Sequence, residues 1–173
     1  VANNGSVDLA LHAQRNTVFP ELPRFGLRLF LPQEMSQVNY YGMGPMECYC
    51  DKHHAASHNS YTATVWQLHE DYIRPQENGS HFDCDYVMLA GDAVRLTAVG
   101  TQPFSFNASH YTQEELTRKA HNYELEPCSS TVLCLDYAQN GIGSESCGPR
   151  LLEQYRLDDA TFNFGLRLFP EKK

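Results

Sequence analysis

The chain has 173 residues, 42% hydrophobic and 12% aromatic (10 Tyr, 9 Phe and one Trp). That composition excludes intrinsic disorder and fits a single domain, residues 1–173, with a substantial core. The formal net charge of −8 and pI near 5.4 argue against nucleic acid or an anionic membrane as partner. No apolar run approaches the roughly 20 residues needed to span a bilayer, and no export signal opens the chain. A cytoplasmic location is therefore expected.

Val1 rather than Met comes first, and Val1–Val7 (VANNGSV) carries no helix or capping signal, so the sequence reads as a chain entered in its middle. Period-2 alternation then dominates. Val7-Leu9-Leu11 marks a first short strand, and Arg24–Leu31 (RFGLRLFL) a second. The latter places Phe25, Leu27 and Leu29 on one face and Arg28 and Phe30 on the other. Gln37–Tyr41 continues in the same style until Gly42-Met43-Gly44-Pro45 breaks it. Thr62–Leu68, Tyr86–Leu89, Val94–Val99, Phe104–Asn107, Thr131–Leu135 and Thr161–Phe169 read as further strands, with turns such as Pro75–Gly79 between them. Many short strands and little helix predict an all-β, large antiparallel sandwich.

The hexapeptide Phe-Gly-Leu-Arg-Leu-Phe occurs at 25–30 and again at 164–169, which predicts two strands of similar burial. One helix is expected over Gln113–Asn122, behind a capping box of Thr112 and Glu115. In that helix Leu116 and Ala120 would share a face, and Arg118, Lys119 and His121 would occupy the last turn.

The six cysteines (48, 50, 84, 128, 134 and 147) follow no disulfide spacing and read as reduced thiols. Sequons at Asn4, Asn78 and Asn107 read as accidents of composition. Cys48–His58 (CYCDKHHAASH) offers two thiols and three imidazoles, but C-x-C with no second pair is poor zinc spacing. The acids Glu70-Asp71, Asp83 and Asp85, Glu114-Glu115 and Asp158-Asp159 sit in turns or on helix faces, and none forms an isolated catalytic pair. No G-x-S-x-G elbow exists, and Cys147 has no histidine partner by spacing.

One stretch stands out. Asp136–Pro149 (DYAQNGIGSESCGP) sets three glycines, two serines, two acids, a thiol and a proline behind a buried strand. Such a loop either presents side chains to a ligand or is a plain surface turn.

Four segments in order carry a family resemblance. They are Tyr41–Tyr49 (YGMGPMECY), Arg74–Gly79 (RPQENG), Phe106–Thr112 (FNASHYT), and Asp136 with Gly141–Pro149 (GIGSESCGP). Together they resemble the last domain of family 2 β-galactosidases, which is the small subunit in split-gene members. The resemblance covers Tyr41 to the end; Val1–Tyr40 match only as generic strands.

It implies a sandwich related in fold to aldose mutarotases. It further implies a parent enzyme that hydrolyses terminal β-galactosides, such as lactose, with retention. The two catalytic glutamates, and the magnesium and sodium sites, would then lie in an upstream barrel, leaving no catalytic residue, metal or cofactor in this chain. The substrate-proximal residues implied are Asn140, Ser144, Glu145, Ser146 and Cys147. Cys147 falls at or next to a tryptophan that forms an apolar platform in well-known members, and a thiol lacks an indole's stacking area. The partners implied are the rest of the enzyme, as one chain or a large subunit, the galactoside, and further copies in a homo-oligomer. A free-standing carbohydrate-binding module is the alternative. A mutarotase-like epimerase would need His69 with Glu70, or His110 and His121, facing each other.

Overall fold

A computed structural model describes residues 1–141 and 149–173. Its strands are β1 (Val7–Gln14), β2 (Arg24–Pro32), β3 (Gln37–Gly44), β4 (Ser57–Thr64), β5 (Ser80–Ala90), β6 (Val94–Ser109), β7 (Ser130–Gln139) and β8 (Thr161–Lys172). All eight join one antiparallel network in the order β1-β8-β6-β5-β3-β4, with β7 also pairing β6 and carrying β2 on its other side. The network forks at β6. Its first half, Val94–Gly100, pairs with β8, and its last residues, Ser105–Ser109, pair with β7. The two branches fold toward each other into the expected all-β, sandwich-like architecture.

Alternation builds the layers. β2 turns Leu27, Leu29 and Leu31 inward and Arg28 and Phe30 outward. The second copy of the hexapeptide, in β8, does the same with Leu166 inward and Arg167 outward. Phe25 of β2 meets Phe162 of β8 edge to face at 4.8 Å, and Tyr137 of β7 stacks on Phe162 at 4.5 Å. These rings bridge the branches. The center of the core holds Tyr40, Leu89, Phe104, Phe106, Leu133, Leu135, Phe164 and Leu166, all close to fully buried. Each contributes on the order of 1.5–3 kcal/mol of burial free energy.

Several elements differ from the expectation. Thr62–Leu68 is not one strand: β4 ends at Thr64, and Val65–Leu68 form a 3-10 turn. Thr64 causes the switch, because its hydroxyl accepts from Gln67 N (3.2 Å) while Gln67 Oε1 accepts from Thr64 N (2.8 Å). Val94–Val99 and Phe104–Asn107 are halves of one strand, since the chain changes partners near Gly100 without leaving the sheet. The helix, α1, covers only Gln113–Arg118. Thr112 caps it as expected through Glu115 N at 3.1 Å. Lys119 turns to extended backbone, so Ala120 and His121 fall outside, and Glu115 Oε1 accepts instead from Glu126 N at 3.0 Å. The stretch Asp136–Pro149 is not loop throughout, because Asp136–Gln139 complete β7.

The five described cysteines are free, and burial raises the Cys50 and Cys134 thiols to about 11. Asn78 and Asn107 are 5% and 3% exposed, which leaves no room for a glycan on either. Among the described residues no helix is long and apolar enough to cross a membrane.

Candidate functional site

Described parts of the segments singled out in the sequence, Glu47, Glu77–Gly79, Asn107 and Asp136, meet near the end of β7. Gly44-Pro45 is a cis peptide bond leading into Glu47, whose side chain is buried. Glu47 Oε1 accepts from Lys52 Nζ at 2.6 Å and from the Tyr72 hydroxyl, and Oε2 accepts from Gly79 N at 2.8 Å. Burial opposes the charge, but these three donors outweigh it and hold the carboxyl below its ordinary value. Gly79 has a φ of +70°, and a Cβ there would lie 2.3 Å from Leu68 O. Only glycine can therefore turn its N–H onto Glu47 at this point.

Asn78 and Asn107 tie the next segments together. Asn78 Oδ1 accepts from Glu70 N (3.1 Å), its Nδ2 donates to Gln76 O (2.9 Å), and Asn107 Nδ2 donates to Asn78 O. Beside them lies a second buried carboxyl, Asp136, only 2% exposed. Arg24 of β2 donates to it through Nη2 (2.5 Å) and Nε (3.3 Å), and its Nη1 lies 3.0 Å from Glu77 Oε2. Gln139 Nε2 bridges Asp136 Oδ2 (3.2 Å) to Ser80 Oγ (3.1 Å).

One guanidinium thus serves two carboxyls, and Glu77 Oε1 is buried with no hydrogen-bond partner among the described residues. Burial raises the pKa of both Glu77 and Asp136, with Arg24 acting against it. Burial also disfavours the charge of Arg24, but its two acids prevail and push its pKa upward. Gly26 makes room for this arrangement. At the bulge where β2 shifts register against β7, a Cβ on residue 26 would fall 2.3–2.6 Å from Leu135 O, Asp136 Oδ1 and Asp136 Cα.

The loop leaves this base through Asn140, whose N donates to Pro23 O (2.9 Å) and whose Oδ1 accepts from Leu157 N (2.6 Å). On its far side Arg150 Nη2 lies 2.5 Å from Glu21 Oε1. Of the substrate-proximal residues named from the sequence, Asn140 is thus a pin at the foot of the loop. Ser144, Glu145, Ser146 and Cys147 lie outside the described residues. A cleft of about 260 Å³ opens beside the foot, between Tyr49, Cys50, Phe82, Phe104, Tyr137 and Gln139.

Other constellations disperse. His53 Nδ1 lies 3.2 Å from Tyr49 O, His58 Nε2 lies 3.0 Å from Asp83 O, and Cys48 Sγ lies 3.3 Å from Met43 O. No group of three or more His, Cys, Asp or Glu able to hold a metal exists among the described residues. His69 faces Asp71 and Asn122 rather than Glu70, and His110 is buried against Thr131.

Sequence reasoning missed Arg24, Lys52, Tyr72 and Gln139. Arg24 carried one usable signal: a charged residue opening an inward-alternating strand that contains a glycine. The acids weighed as catalytic pairs omitted Glu47, Glu77 and Asp136, the carboxyls that the fold collects.

Comparison with known proteins agrees with the geometry. The family described as beta galactosidase small chain matches residues 1–168. A protein named Beta-galactosidase from Actinobacillus pleuropneumoniae is 47% identical over 99% of this chain, and one from Staphylococcus xylosus is 42% identical over 97%. A Beta-galactosidase from Kluyveromyces lactis is 32% identical over 84% of the chain. The chain spans 17% of the length of each of the first two and 14% of the third. The four ordered segments, their meeting at the end of β7 and a match over almost every residue lead to one assignment: this chain belongs to the beta galactosidase small chain family.

Proposed function

We propose that this chain is the part of a family 2 β-galactosidase that forms one wall of the galactoside site and supports assembly of the enzyme. The reading rests chiefly on one observation: among the described residues, each of Glu47, Glu77 and Asp136 at the end of β7 has at least one oxygen committed to a cation or to amide and hydroxyl donors. Such carboxyls are built to hold a loop. Retaining hydrolysis needs two carboxyls about 5 Å apart and free to exchange protons with the substrate. In this reading that pair belongs to the rest of the longer protein, as do magnesium and sodium. In the same reading Ser144, Glu145, Ser146 and Cys147, beyond Asn140 in the chain, are the residues near the sugar. The active enzyme is a cytoplasmic homo-oligomer acting on terminal β-galactosides such as lactose.

The test has two arms. The 173-residue chain, assayed alone on nitrophenyl β-galactoside, is expected to give no turnover above background; robust hydrolysis would place the catalytic pair in this chain. In the full enzyme, Cys147→Ala is expected to raise KM several-fold with kcat nearly unchanged. Kinetics identical to wild type would remove Cys147 from the sugar site.

A further inference from the structure

The only tryptophan of the chain, Trp66, sits in the 3-10 turn after β4 and is 51% exposed. A half-open indole on a folded surface needs a reason, because it leaves a large apolar face in water. It is held firmly. The His110 ring packs against it at 4.6 Å, and Tyr111 meets it at 5.9 Å with the rings 78° apart. His110 is itself buried and lies 3.5 Å from Thr131, at the start of β7. Indole and phenol thus form a fixed corner that projects from the core.

Polar groups continue from that corner. The Tyr111 ring contacts His69 at 5.0 Å, and His69 Nε2 lies 3.5 Å from Asp71 Oδ1 and 3.4 Å from Asn122 Oδ1. Asn122 Nδ2 donates to Asp71 Oδ1 at 2.9 Å, which orients both side chains. The His69 side chain is 9% exposed and that of Asp71 is 82% exposed, so the carboxylate is steadied from below and presented to solvent.

A rigid aromatic corner beside a planar acid–amide pair matches the two kinds of contact a sugar makes. The C–H face of a pyranose stacks on an indole, while its hydroxyls donate to a carboxylate and exchange hydrogen bonds with an amide. A β-galactosyl unit suits this corner, because its axial 4-hydroxyl leaves one ring face with a contiguous patch of C–H bonds. We infer that Trp66, Tyr111, Asp71 and Asn122 form a surface saccharide site that takes a β-galactosyl residue. Its aromatic part lies near the start of β7, through His110 and Thr131, whereas the loop leaves from the other end of that strand. The choice of galactose rests on the function proposed above; the platform itself does not.

The experiment is affinity electrophoresis of the protein as the cell makes it, in native gels with and without soluble β-1,4-galactan. The wild-type protein is expected to be retarded by the galactan. Trp66→Ala should raise the apparent Kd about tenfold or more, and Trp66→Phe should keep part of the retardation, while kcat/KM on nitrophenyl β-galactoside stays unchanged in both. Equal mobility of the wild-type protein in both gels would overturn the inference, and so would retardation undiminished by Trp66→Ala. Failure of the proposed function would appear separately, as an absence of hydrolysis, whatever the gels give.

Discussion

The two ends of β7 are held by different physics. At Asp136–Gln139 the strand is fixed by charge: Arg24 serves Asp136 and Glu77, and Gln139 links Asp136 to Ser80. Near Thr131 the neighbouring surface is fixed by rings, with Trp66 and Tyr111 laid against the buried His110. A buried ion cluster fails steeply when one member is lost, because the remaining charges stay desolvated. An exposed aromatic corner loses only contact area. The first end is therefore suited to fixing the foot of a loop, and the second can carry a ligand surface at little structural risk.

Substitution sharpens that contrast. Arg24→Met leaves Asp136 and Glu77 uncompensated and should destabilise the protein by about 3–5 kcal/mol, measured by urea denaturation. Adding Asp136→Asn and Glu77→Gln to Arg24→Met should recover much of the loss. A triple variant no more stable than the single one would mean that charge is not what holds this end.

His81 gives a pH test of the packing next to the cluster. Burial between Tyr40 and Phe106 lowers its pKa from 6.5 to about 4. The neutral ring is the one that fits, so its stabilising contribution is complete above pH 6.5 and is lost as pH falls from 6.5 toward 4. A loss of roughly 3 kcal/mol over that window follows from 1.36 kcal/mol per pKa unit. Glu77 and Asp136 act in the opposite sense. Their raised values mean that their desolvation is relieved at low pH, which offsets part of the His81 loss, so replacing Glu77 by Gln should deepen the fall in stability between neutral pH and pH 4.5. Thermal melts across that range, compared between wild type and Glu77→Gln, check both signs.

Gly79→Ala forces a side chain into left-handed backbone against Leu68 O and turns the amide off Glu47, at an expected cost of about 1–3 kcal/mol. At the other extreme, Arg28 lies on the same strand as Arg24 but pairs with Glu114 in solvent. Arg28→Ala should leave the urea midpoint unchanged within error. A large effect there would erase the distinction between Arg24, which serves a buried carboxyl, and the solvent-facing Arg28.

Much of the fold could be read from the sequence because alternation is a local property. Leu27, Leu29 and Leu31 announce the inner face of β2 whatever lies opposite, and Thr112 with Glu115 announces the start of α1. What failed were places where a distant or competing partner decided. Val65–Leu68 alternates like a strand, yet Thr64 and Gln67 satisfy each other and turn the chain. The expected helix over Gln113–Asn122 stops at Lys119, while Glu115 takes up Arg118, Lys119 and Glu126 N. Gly100 reads as a terminator, but it sits where β6 passes from β8 toward β7.

The site divides in the same way. By itself the sequence determined the strand and turn chemistry and the family, through ordered segments whose glycines, prolines and asparagines have local conformational reasons. Only the tertiary structure decided that Glu47, Glu77 and Asp136 converge, that Arg24, which precedes the four segments read from the sequence, completes their cluster, and that the lone tryptophan faces outward. Those outcomes depend on pairings between residues about 30 to 110 positions apart. Such pairings are set by sheet register and burial, which no local pattern encodes.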